Sequence, residues 1–178
     1  SSEFWRLQQD DGTLLGEFDC VITSAPASQS AELLACVPHL QEEALATKMS
    51  GCWAAMLAFD DPLDIAFDGA FVHDSILSWI ARNDTKPGRN GHSEGQPGRE
   101  ACWVLHASSD WTDQHIDEDS SHILPQLIDA FWHATKTEIR EPSFANAHRW
   151  RYAIPQEPLE DRCLFDPELL VGACGDWC

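Results

Sequence analysis

Apolar residues in this chain gather in strand-length runs more often than in helical stripes. Phe4-Trp5-Arg6-Leu7 alternates and meets Asp10-Asp11-Gly12, which predicts two short strands joined as a hairpin. Phe18-Asp19-Cys20-Val21-Ile22-Thr23-Ser24-Ala25-Pro26 reads as a buried strand closed by proline, and a helix opening at Ala27 or Ser28 runs through Leu33-Leu34-Ala35. A continuous apolar strand feeding a helix is the signature of a parallel sheet. After Pro38 the character changes. Residues 49–59, 69–73, 77–82 and 101–107 each read as a strand, separated by polar turns rather than helices, as in an antiparallel sheet. Residues 83–100 are rich in glycine and proline and read as a loop. Ile123, Leu124, Leu127, Ile128, Phe131 and Trp132 form a helical stripe within 117–135, behind an acidic, serine-bearing start that suits a helix N-terminus. Residues 147–154 alternate as a strand, Pro155 and Pro158 mark an exit, and 164–173 returns as a buried strand of the parallel type.

The expected fold class is therefore α+β: a mixed, mainly antiparallel sheet with one long helix, flanked by short Rossmann-type strands. The expected boundaries are 1–38 for the first nucleotide-fold strands and helix, 39–160 for an inserted domain, and 161–178 for a return strand. That strand breaks into Cys174-Gly175-Asp176-Trp177-Cys178. The carboxyl end of such a strand is where cofactors sit in open α/β sheets, with a helix N-terminus expected next. The chain thus reads as a piece of a larger protein.

Charge narrows the partners. Thirty acids against eleven bases give a net charge of -19, which repels nucleic acid and anionic lipid over most of the surface. No apolar run approaches the roughly 20 residues of a membrane span, and no signal peptide opens the chain. Seven cysteines in apolar settings, such as Cys20, Cys52, Cys102 and Cys163, suggest buried thiols in a reduced, cytoplasmic protein. The eight tryptophans suit a half-buried sheet or a pocket for a flat ligand.

With so few bases, individual arginines carry weight. Arg149 and Arg151 flank Trp150 on a strand, so both arginines share one face. That face could grip the phosphates of a dinucleotide, or pair with the abundant acids. Arg82, Lys86 and Arg89 bracket the glycine-proline loop as an anion clamp or as a solvated loop. His73, His106 and His148 sit in strands, where a histidine satisfying a hydrogen bond is commoner than a catalytic one. His115, Asp117, Asp119 and His122 match no zinc or calcium spacing and stand at a helix start, so no metal is expected. No Gly-x-Gly-x-x-Gly, redox Cys-x-x-Cys or nucleophile elbow is present.

Several stretches resemble the FAD-dependent amine oxidase superfamily, and within it the bacterial renalase-like branch. They are Phe18 to Pro26 with Gln29 and Leu33-Leu34; Ser78-Trp79-Ile80-Ala81-Arg82-Asn83 leading to Lys86-Pro87-Gly88-Arg89; Trp103-Val104-Leu105-His106-Ala107 with Trp111; and His148-Arg149-Trp150-Arg151-Tyr152-Ala153 with the terminal Gly175-Asp176-Trp177. The resemblance implies a flavin oxidase of two domains, in which this chain supplies the substrate domain and flanking strands of the FAD domain. It implies FAD as cofactor and a small-molecule substrate, a dinucleotide or an amine. Dihydronicotinamide dinucleotides would be oxidised by hydride transfer to flavin, with oxygen as acceptor. By the same resemblance Ala25, Pro26, Gly175, Asp176 and Trp177 would line the cofactor. Trp79, Arg82, Trp103, His148, Arg149, Trp150 and Arg151 would contact substrate, the tryptophans as an aromatic roof. Without the glycine-rich pyrophosphate turn, the chain is not expected to hold FAD unaided. The alternatives are an amine oxidase of the same superfamily and a non-catalytic acidic module that binds a partner protein.

Overall fold

The computed structural model describes residues 4–87 and 101–178. In chain order the elements are β1 (Trp5–Gln8), β2 (Leu14–Phe18), β3 (Val21–Thr23), α1 (Ala27–Leu33), α2 (Pro38–Ala46), β4 (Met49–Phe59) and β5 (Gly69–Phe71). They continue with β6 (Leu77–Arg82), β7 (Ala101–Ala107), α3 (Ser109–Gln114), α4 (Ser120–Thr135), β8 (Phe144–Pro155), β9 (Leu164–Asp166) and β10 (Val171–Ala173). The chain divides into two compact units, Ser1–Met49 with Ile154–Cys178, and Ser50–Ala153. No helix among the described residues is long and apolar enough to cross a membrane. The fold class is the expected one: a mainly antiparallel sheet, one long helix, and short flanking strands with a parallel pair.

In the first unit, β1 and β2 form the predicted antiparallel hairpin, tied down by the Trp5 indole N–H on the Leu169 carbonyl at 2.7 Å. A second sheet has the order β3-β10-β9, with β10 parallel to β3 and antiparallel to β9. Two expectations change here. The first buried run is only three residues long as a strand, and Ile22 within it is exposed, because Phe18 belongs to the hairpin and the chain turns at Asp19-Cys20. The run 164–173 is not one strand but a hairpin of β9 and β10, broken where Leu170 takes a left-handed φ of 54°. Only β10, in the middle, is buried throughout. The core beneath is built from Ala27, Ala31, Leu34, Val37, Leu40 and Ala44 of the two helices, with Leu164, Val171, Ala173 and Trp177. Of the cysteines expected to be buried, Cys52 is buried and Cys102 half-buried, whereas Cys20 and Cys163 are exposed because both lie in loops.

The second unit is a five-stranded sheet in the order β5-β6-β7-β4-β8, with antiparallel pairing between β5 and β6, β6 and β7, and β7 and β4. The long helix α4 packs its apolar stripe on one face. Ile123, Leu127, Phe131 and Trp132 meet Leu57, Phe59, Ile80, Trp103 and Leu105, with Phe131 and Trp103 ring centres 5.4 Å apart. Asp119 caps the helix by accepting from the Ser121 amide at 2.8 Å. The short α3 begins behind Ser108, whose side chain accepts from the Trp111 amide.

Candidate functional site

Alternation along β7 sorts its side chains. Ala101, Trp103, Leu105 and Ala107 are buried toward α4, while Cys102, Val104 and His106 point to the other face and are half-buried. Register carries this second face across the sheet. Trp79 of β6 stands beside His106, which stands beside Ala54 of β4; Ala81, Val104 and Met56 form the next row. Trp79 can lie across β5 because Gly69 leaves room: a Cβ there would come within 2.9 Å of the Trp79 ring. Phe71 tilts against the same indole at 4.8 Å. On β8, Ala145 and Ala147 belong to the helix-side core, so His148, Trp150 and Tyr152 take the second face. His148 and Trp150 pack edge to face at 4.6 Å, and Trp150 is 56% exposed.

The sheet thereby separates the expected substrate residues. Trp79, His148 and Trp150 share the face without α4. Arg82, Trp103, Arg149 and Arg151 are on the helix side. Trp103 is a core residue with 1% exposure, because its odd position on β7 aims it at Phe131 and Phe67. Arg82 lies over the Trp103 ring at 5.1 Å, donates to the Ile65 carbonyl at 2.7 Å and stands 3.9 Å from Asp68. Arg149 donates to the Ile116 carbonyl at 2.7 Å and covers the Trp53 ring. Arg151 donates to Asp117 at 2.8 Å, and this bond holds the Asp117 carboxyl below its ordinary range. Both arginines of β8 thus secure the 116–117 segment. Arg89 lies outside the described residues. His115 contacts the Trp111 carbonyl and stacks on its indole.

In the sequence His106 reads as a strand histidine that satisfies a hydrogen bond, and it is not among the expected site residues. Burial, with the Lys86 charge as a lesser cause, pushes its pKa below the ordinary 6.5, so its ring is neutral near neutral pH. The alternation of β7 was the signal that could have found it.

The first unit holds the second group of expected residues. β3 and β10 run parallel, so Ala25-Pro26 and Gly175-Asp176 leave the sheet at neighbouring carboxyl ends, joined by the Cys174 amide on the Thr23 carbonyl at 2.9 Å. Trp177 is 2% exposed and donates its indole N–H to the Ala25 carbonyl at 3.0 Å. It is a packed anchor, whereas Asp176 is exposed. Gly175 has φ +154°, and a Cβ on it would press within 2.9 Å of the Trp177 indole. The Ser28 hydroxyl is buried without a hydrogen-bond partner among the described residues. These features fit the polar part of a cofactor such as FAD: a bare glycine backbone, an exposed carboxylate and a spare buried hydroxyl at two parallel strand ends.

No protein-family model matches the chain. Solved structures do. An Exiguobacterium sp. 255-15 protein assigned as a protoporphyrinogen oxidase matches over 98% of this chain with TM-score 0.69 and 14% identity. An oxidoreductase from Methanosarcina mazei matches over 97% with TM-score 0.61 and 13% identity. Wild-type putrescine oxidase, solved with putrescine bound, matches over 92% with TM-score 0.59 and 11% identity. This chain spans 39%, 43% and 39% of their respective lengths. At such identities the likeness is one of architecture: the chain has the fold of one part of the FAD-dependent oxidoreductases of this kind.

Proposed function

We propose that this chain is the substrate-binding part, with flanking cofactor-domain strands, of a flavin-dependent oxidoreductase of the amine oxidase type. The observation that carries the reading is the one-sided sheet of the second unit. α4 covers one face, and the other presents Trp79, His148 and Trp150, a surface suited to lie over a flat reacting pair and exclude water from it. Gly175 and Asp176, beside Ala25 and Pro26, would hold the cofactor's polar part. FAD, when bound, supplies a two-electron acceptor for hydride from substrate.

The renalase-like form of this reading, oxidation of dihydronicotinamide dinucleotides, draws its support from the sequence motifs. The geometry favours it less, since Arg149 and Arg151 donate to Ile116 and Asp117 and would have to leave these partners to grip phosphates.

The test is the flavin content of the full-length protein that carries this chain. Purification should yield bound flavin, and Asp176→Ala should weaken its retention on dialysis by roughly 1–3 kcal/mol for one lost charge-assisted bond. A full-length protein without flavin, and without affinity for added FAD, would overturn the reading.

A further inference from the structure

The antiparallel register of β9 and β10 sets Val171 opposite Asp166, Gly172 opposite Phe165 and Ala173 opposite Leu164. One step further along the same register stand Cys174 and Cys163, each immediately outside its strand. Backbone bonds hold this end of the sheet. The Cys174 amide donates to the Thr23 carbonyl at 2.9 Å, and the Leu159 amide donates to the Trp177 carbonyl at 3.0 Å. Opposed residues of an antiparallel pair have Cα atoms about 4.5–5.5 Å apart and side chains on the same face. A disulfide needs a Cα separation of about 4.4–6.8 Å. Register therefore places the two thiols to bond without a slip of either strand. Both are free, with Cys163 exposed and Cys174 half-buried, so a small oxidant in solution reaches Cys163.

A third thiol joins this end of the sheet. Cys178 bends back through the turn, its amide donating to the Gly175 carbonyl at 3.1 Å and its sulfur lying 3.9 Å from the Ala173 carbonyl. Burial raises the Cys178 pKa, and the charges of Cys174 and Cys163 do so to a lesser degree. The thiolate is the attacking form of a cysteine, so a protonated Cys178 competes poorly for either neighbour. No Cys-x-x-Cys announces this group in the sequence. The hairpin of β9 and β10 assembles it.

We infer that Cys163 and Cys174 form a reversible dithiol–disulfide pair, oxidised by a low-molecular-weight disulfide of the glutathione type. The Cys163 thiolate attacks one sulfur of glutathione disulfide, breaking its S–S bond and releasing one glutathione thiolate. The Cys174 thiolate then attacks the Cys163 sulfur of the mixed disulfide, forming the internal bond and expelling the second glutathione. Two protein thiols thereby lose two electrons and two protons, and one glutathione disulfide becomes two glutathione thiols. The bridge ties β9 to β10 directly before Gly175 and Asp176.

Disulfide mapping of the full-length protein that carries this chain tests the pair. The reduced protein, freed of reductant, is equilibrated with excess glutathione disulfide, quenched with acid, capped with N-ethylmaleimide and digested after acidic residues. Cleavage after Glu168 and Asp176 separates the three cysteines. Mass spectrometry should find Cys163 joined to Cys174 in most chains, and dithiothreitol should release them. Cys178→Ser should leave this bridge unchanged, whereas Cys163→Ser should abolish it and leave Cys174 without its partner. Glutathione on Cys163 with Cys174 still free, Cys178 as the main partner of either thiol, or no oxidation at either residue overturns the inference. Loss of the bridge in Cys178→Ser overturns it equally, and should that variant fail to fold, the wild-type pairing decides by itself.

Discussion

The indole nitrogen of Trp177 donates to the carbonyl of Ala25 at 3.0 Å, joining residues 152 positions apart. Ala25 follows β3 and Trp177 follows β10, so this bond stitches together the turns that leave two parallel strands. It also turns the Trp177 ring inward, which leaves Gly175 and Asp176 as the exposed part of that turn.

Trp177→Phe keeps most of the buried ring and removes one of two bonds to the Ala25 carbonyl, which still accepts from the Ser30 hydroxyl at 2.8 Å, at a cost of about 0.5–1.5 kcal/mol, while Trp177→Ala adds a cavity and should cost about 3–5 kcal/mol. Urea unfolding monitored by circular dichroism should rank the variants in that order. Equal loss in both would show that the hydrogen bond decides and the packing of the ring adds nothing.

Trp103 and Trp79 provide a contrast between the two faces of one sheet. Trp103→Ala removes a core residue between Phe131 and Phe67 and should destabilise by about 3–5 kcal/mol. Trp79→Ala should cost about 1–2 kcal/mol, since its ring is half-buried, and should act chiefly on ligand affinity. Parallel unfolding and binding curves check both halves of this statement.

The arginines of β8 should differ in the same way. Arg151 pairs with Asp117 in an exposed ion pair, so Arg151→Ala should cost no more than about 1 kcal/mol, and less at high salt. Arg149 is less exposed, fills an acceptor at the Ile116 carbonyl and covers Trp53. Arg149→Ala should cost about 1.5–3 kcal/mol and respond weakly to salt. Thermal melts at low and high salt would separate them.

His106 predicts a pH dependence. Its folded pKa lies below 6.5 because burial disfavours the imidazolium. In the window below 6.5 the unfolded chain binds a proton that the folded chain resists, so stability rises with pH there. The contribution is fully present above 6.5 and is lost as pH falls toward the folded pKa. Melting temperatures measured from about pH 5 to about pH 7.5 should fall on the acid side, and His106→Gln should flatten that part of the curve.

Local elements were legible from the order of residues. β4, β6 and β7 begin and end where their apolar runs do, and the stripe from Ile123 to Trp132 is the face that α4 buries. Hairpin β1–β2 follows from Asp11-Gly12 between alternating segments. Two helices escaped: α3 is too short to show a period, and α2 was signalled only by Pro38 at its first turn, with Leu40 and Ala44 one turn apart. The resemblance of Gly175-Asp176 and Ala25-Pro26 to cofactor-lining turns needed no structure, yet their adjacency comes from the parallel register of β3 and β10. Tertiary structure alone decided which side of each strand is covered. Alternation divides a strand into two faces, but in β4 and β7 both faces are apolar or neutral, so periodicity leaves open which one meets the helix. That choice rests on contacts distant in the chain, such as Trp103 on Phe131 and Arg149 on Ile116. It sends Trp103 and the arginines to the helix side and leaves Trp79, His106 and Trp150 on the opposite face.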